Sequence, residues 1–163
     1  MKFFISHKKE DTNKAIEIAH ALHDFNVDYY LDAFDSTISS NPKKLTDHIK
    51  NEMEKCSDII VVISEKTKKS AWVYFEVGIA AHAQKATSTY MIDDTQLPEF
   101  LEYWPTLKNS NDLRAYISIK MEMYPSHKHL KNESYIGLKN TASSFHAPSL
   151  DNFYTAVKAQ LKK

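Results

Sequence analysis

Two groups of residues in this 163-residue chain could do chemistry: a lone carboxylate within an apolar stretch, and a polar run behind a short apolar one. The stretch is Ser70-Ala71-Trp72-Val73-Tyr74-Phe75-Glu76-Val77-Gly78-Ile79-Ala80-Ala81-His82-Ala83. On a helix advancing about 100° per residue, Trp72, Phe75, Ile79, Ala80 and Ala83 share one arc, and Glu76, the segment's sole carboxylate, falls inside it. A carboxylate in that place has to be paired, neutralised or open to a cleft, because burying an unpaired charge costs several kcal/mol. The plain alternative is a helix-edge Glu that reaches water or a Lys, since Glu is rarely fully buried. Position favours chemistry. Glu76 follows the carboxyl end of an apolar strand by one loop and sits near a helix start. Open α/β sheets bind ligands at that edge, and a helix amino end favours an ionised carboxylate.

The polar run Ser6-His7-Lys8-Lys9-Glu10-Asp11 leaves Phe3-Phe4-Ile5 at the same edge. Its hydroxyl, imidazole and ammonium groups suit phosphates or ribose hydroxyls, although ordinary surface loops share this composition. A second polar loop carries Asp32, Asp35, Ser36, Ser39, Ser40, Pro42, Lys43 and Lys44, which fits a ligand-gating or subunit-contact loop and equally fits plain turn chemistry. The eight histidines include His20 with His23 and His127 with His129, but no cysteine or carboxylate set completes a tetrahedral site, so no metal is expected. Cys56 shares an apolar stripe with Met53 and reads as core. With Gly78 and Gly137 as the two glycines, the chain lacks any Gly-rich phosphate loop, which excludes the Rossmann and P-loop motifs.

The elements that must position these groups alternate between strand and helix patterns. Phe3-Phe4-Ile5 is a short buried strand; Asp11-Thr12 can cap a helix with Ile16, Ala19, Leu22 and His23 at helical spacing. Val27 to Leu31 reads as a second strand, and Pro42 opens a helix with Leu45, Ile49, Met53 and Cys56 on one stripe. Ile59-Ile60-Val61-Val62-Ile63, β-branched throughout, predicts a central parallel strand. Ser70 then caps a helix to about His82, and Thr87 to Ile92 makes a fourth strand. The segment Leu97 to Pro105 reads as a Pro-bounded turn with one short helix. Ala115 to Met121 fits either strand or helix, residues 124–150 read as surface loops, and Asn152 to Leu161 closes the fold as a helix. This order argues for an α/β domain with a parallel sheet between helices.

Composition narrows the class further. The 21 basic and 21 acidic residues leave no net charge, which removes the broad electrostatic footprint that duplex nucleic acid or an anionic membrane demands. No apolar run approaches the roughly 20 residues of a membrane span, and the apolar start is too short for a signal peptide. A single cysteine permits no internal disulfide. The expectation is one domain over residues 1–163, cytoplasmic, with a core large enough to need no staples.

Taken in order, Phe3 to Asp11, Tyr30-Leu31-Asp32, Cys56 to Ser64, and Ser70-Ala71-Trp72 to Glu76 resemble a TIR domain of the bacterial stand-alone kind. The resemblance spans about residues 2–107, with Leu97-Pro98 through Trp104-Pro105 adding to it, and resumes at the closing helix near 152–161. It implies a flavodoxin-like three-layer sandwich around a central parallel sheet. In the enzymatic branch it implies cleavage of the nicotinamide–ribose bond of NAD, which is substrate rather than cofactor. Glu76 then matches the catalytic Glu of a Trp-x-x-x-Glu pattern that includes Trp72. Ser6, His7 and Lys8 match the loop lining the NAD pocket, Asp32 the acidic residue ending the second strand, and Leu45 an apolar residue behind the next loop. That loop lacks the Gly common in relatives and carries Lys43-Lys44-Leu45, and the tail 108–150 departs from the family pattern. The resemblance further implies Thoeris-type anti-phage defence, self-association through TIR–TIR contacts, and a separate effector responding to a nucleotide product.

One carboxylate suffices for such a reaction. Glycosidases use a second acid to protonate a departing oxygen, whereas nicotinamide leaves a cationic pyridinium as a neutral molecule. An ionised Glu76 can hold ribose hydroxyls and stabilise the positive charge growing on the sugar. Trp72 can pack on the ring or anchor its helix, and a Trp on an apolar face favours the anchor. Two other classes fit the residues: a non-enzymatic TIR interaction module using the loop 34–45, and a nucleoside deoxyribosyltransferase-like enzyme.

Overall fold

The structure, a computed structural model, describes residues 1–31, 41–125 and 148–162. Five strands, β1 (Lys2–Ser6), β2 (Asp28–Leu31), β3 (Asp58–Ile63), β4 (Ala86–Met91) and β5 (Thr106–Leu107), form one sheet in the order β2-β1-β3-β4-β5. Every pairing is parallel. All residues of β3 are buried, as its unbroken β-branched run predicts for a strand with neighbours on both edges and helices on both faces.

The helices are α1 (Thr12–Asp24), α2 (Pro42–Glu54), α3 (Ala71–His82), α4 (Ser110–Met123) and α5 (Leu150–Leu161). Strand alternation sorts them into two layers. Phe3 faces Tyr116 of α4 at 5.8 Å, Tyr116 meets Phe153 of α5 at 4.9 Å, and Arg114 of α4 sits 4.9 Å over Phe25 at the end of α1. The next residues in β1 point the other way: Phe4 packs on Tyr30, whose hydroxyl reaches His48 of α2, and Ser6 reaches α3. The result is the expected three-layer α/β sandwich with flavodoxin-like strand order.

Local chemistry sets the helix starts. Ser70 accepts from the Val73 amide at 3.4 Å, Asn41 from Lys44 at 3.1 Å with Pro42 in the first turn, and Ser149 from Asn152 at 3.2 Å. With so few glycines in the chain, α1 and α3 stop at Asn26 and Gln84 in the left-handed region, at φ 54° and 51°. Two expectations need correction and one open choice is resolved. The inward face of α1 is Ala15, Ile18, Ala19 and Leu22, while Ile16 and His23 are exposed. Cys56 is buried but lies beyond the end of α2. Residues 115–121 belong to α4, whose Leu113, Tyr116 and Ile117 make a helical stripe against the sheet.

Candidate active site at the carboxyl edge of the sheet

The chain runs outward in opposite directions from β1 and β3: β1 leads through α1 to β2, and β3 leads through α3 to β4. The crevice between their carboxyl ends is where such sheets take ligands. Ser6 ends β1 in register with Val61 of β3, and Glu76 stands in the second turn of α3. The Ser6 hydroxyl donates to Glu76 Oε2. Both side chains are enclosed, Ser6 at 0% and Glu76 at 1% exposure, so the carboxylate is held at the switch point and not turned to bulk water.

The arc of α3 differs from the expected one. Val73, Glu76, Val77 and Ala80 face inward, whereas Phe75 is exposed, Ile79 is half-buried and Ala83 lies past the last turn. The helix is apolar nearly all round, so its periodicity defines no face and contacts with the sheet choose one. Trp72 is half-buried with its ring 5.2 Å from that of Phe75, bracing the outer side of the helix. The Tyr74 hydroxyl donates to the Lys68 carbonyl and ties the first turn of α3 to the loop before it.

His7, next in chain after Ser6, is buried, and its Nε2 lies 3.2 Å from Thr12 Oγ1. The single proton of that hydroxyl is given to the Lys9 carbonyl at 2.7 Å, so Nε2 must be the donor in the His7 contact. Lys8 points outward and pairs with Glu10 at 3.0 Å. An exposed pair of this kind contributes little stability. Between the loops after β3 and β4 a cleft of about 430 Å³ opens, lined by residues including Asp11, Ser64, Lys66, Asp93 and Thr95.

Comparison with protein-family models matches residues 3–139 to the TIR domain model. The chain belongs to the TIR domain family. Comparison with proteins of curated function gives no match. Among solved structures, this TIR domain is similar to the CMP N-glycosidase of Clostridium botulinum, with a TM-score of 0.51, 10% identity, and coverage of 72% of this chain and 99% of that one. At that identity the likeness is one of fold.

Within this TIR domain, the residues grouped by resemblance occupy three settings. Ser6 and Glu76 are in direct contact, and His7 is buried beside Ser6 in the chain. Lys8 is at the rim, and Leu45 is half-buried against the core from the first turn of α2. Asp32 and most of the loop 34–45 lie outside the described residues. The sequence reading missed the role of Asp11. It was expected to cap α1, yet its side chain makes no cap bond. Instead the buried Asp11 carboxylate accepts from Ser64 Oγ at 2.6 Å and from Thr67 Oγ1, tying the loop after β1 to the loop that launches α3. An Asp at a strand–loop boundary with Ser and Thr behind the next strand is the only signal available, and it is too common to single out. Among the described residues no cluster of three potential metal ligands is present, and no helix is long and apolar enough to cross a membrane.

Proposed function

We propose that this TIR domain cleaves the N-glycosidic bond between nicotinamide and ribose in NAD, with Glu76 as the catalytic carboxylate. One observation carries the reading: a buried carboxylate at the β1/β3 switch point, held by a neutral hydroxyl from the strand end. In the reaction the C1′–N bond breaks and its electron pair goes to the pyridinium nitrogen, so nicotinamide departs neutral. The electron-deficient ribosyl carbon is then captured by water or by another nucleophile, whose proton passes to solvent. Negative charge fixed beside the sugar is stabilising in proportion to the positive charge that grows there. Capture by water gives ADP-ribose, and capture within the molecule gives a cyclic nucleotide. A product that activates a separate effector in anti-phage defence, and assembly of several TIR domains for activity, belong to the same proposal.

The fold likeness to a CMP N-glycosidase supports a second reading on the same carboxylate, in which the cleaved bond joins ribose to the base of a nucleoside monophosphate. Incubating the protein at high concentration with NAD or CMP, followed by chromatography of the products, decides between the two. Nicotinamide release by wild type and its loss in Glu76→Gln support the first reading, whereas base release from CMP alone supports the second. Equal release by wild type and Glu76→Gln, or none from either substrate, defeats the enzymatic assignment and leaves the interaction-module class.

A further inference from the structure

We infer that Ser6 is a positioning residue that acts through Glu76, not a group that touches the substrate. The inference rests on the proposed function and reverses what family resemblance implies for Ser6. The Ser6 hydroxyl carries one proton, and that proton is committed to Glu76 Oε2 rather than left to donate to a ligand. The donor itself is rigid, because Ser6 is the last ladder residue of β1 and sits opposite Val61 on the central strand. Glu76 comes from a helix 70 residues further along the chain, and this hydrogen bond ties its carboxylate to the sheet. A hydroxyl donating to a carboxylate stabilises its charged form and restricts its rotamers. Ser6 therefore does two things: it favours the charged form of the carboxylate, and it restricts the carboxylate's rotamer.

Ser6→Ala removes one buried oxygen and leaves the strand backbone intact, so the variant is suited to the test. With NAD as substrate, kcat for nicotinamide release falls roughly tenfold or more while KM stays within about threefold, and Ser6→Thr, which keeps the hydroxyl, recovers most of the loss. A raised KM at unchanged kcat overturns the inference, because it places Ser6 on the substrate. A second measurement does not depend on turnover. In protein labelled at the Glu side-chain carboxyl carbon, with the resonance assigned through Glu76→Gln, the titration midpoint of Glu76 moves up by about one pH unit in Ser6→Ala. His7 and Asp11, the titratable neighbours on the same loop, are intact in both proteins, so their contribution cancels. An unmoved midpoint overturns the inference. Absence of nicotinamide release by wild type defeats the proposed function while the carboxyl titration still decides the role of Ser6.

Discussion

Asp58 and Glu76 are both buried carboxylates on or beside β3, one at each end of the sheet. At the amino end, Asp58 accepts from the Tyr116 hydroxyl at 2.9 Å and from Ser57 at 2.6 Å, and Lys120 stands 3.2 Å away. Lys120 also lies over the rings of Tyr124 and Phe153 at 4.7 and 4.8 Å. Cation, hydroxyls and aromatic faces close over that charge, which makes it a strut between the sheet, α4 and α5. At the carboxyl end, Glu76 is met by the Ser6 hydroxyl, a neutral donor. Burial alone does not distinguish a structural carboxylate from one available for chemistry; the edge of the sheet at which it stands does.

The largest effect expected from this contrast is on activity. Glu76→Gln keeps an acceptor for Ser6 but deletes the charge, so nicotinamide release falls by about 10²–10³-fold in a product assay, while the melting temperature stays level or rises. A large stability loss with retained activity would make Glu76 the strut and break the comparison. At the other end, Lys120→Met leaves Asp58 buried without its cation and destabilises the fold by about 3 kcal/mol in chemical denaturation. Turnover per folded molecule is unchanged at low temperature.

A smaller effect concerns pH. Burial, and after it the charge of Asp58, holds the Tyr116 phenol well above its ordinary value of 10.0. The folded state keeps that proton while the unfolded chain gives it up above about pH 10, so the unfolded state binds fewer protons and stability falls as pH rises through that range. The slope reaches about 1.4 kcal/mol per pH unit from this group, and Tyr116→Phe removes its share in melting curves taken across alkaline pH. The smallest effect sits on α3 itself. Gly78 is exposed in mid-helix with open space where a Cβ would go, so Gly78→Ala stabilises the protein by about 0.5–1 kcal/mol. The proposed NAD cleavage is unaffected, because the substitution lies on the face opposite Glu76.

Much of the fold was legible before any coordinates. The β-branched run of β3, the serine before α3 and the proline opening α2 each act over a few residues, and each forms the element its local chemistry favours. The two-residue β5 was not legible, because a pair of residues carries no period and is a strand only by lying beside β4. Residues 115–121 resisted assignment for the opposite reason: their apolar content satisfies both periods until Leu113 extends the stripe. Within the site, Glu76 stood out as the one carboxylate of an apolar segment. The arc around it was misread, since a helix apolar on nearly every side gives no preferred face until a sheet is placed against it. Asp11 looked like a helix cap because Asp before a helix usually is one, and its true partners lie more than 50 residues away.

From the sequence alone come the succession of strands and helices, the absence of a Gly-rich phosphate loop, the balance of charge and the oddity of one acidic residue in an apolar helix. These are properties of neighbouring residues, set by side-chain period, caps and composition. The tertiary structure decided which groups meet: that Ser6 holds Glu76 across 70 residues, that Asp11 braces two loops, and that Asp58 is neutralised by Lys120. Those pairings depend on strand order and on the face each helix turns inward, and both are settled only when the whole core packs at once.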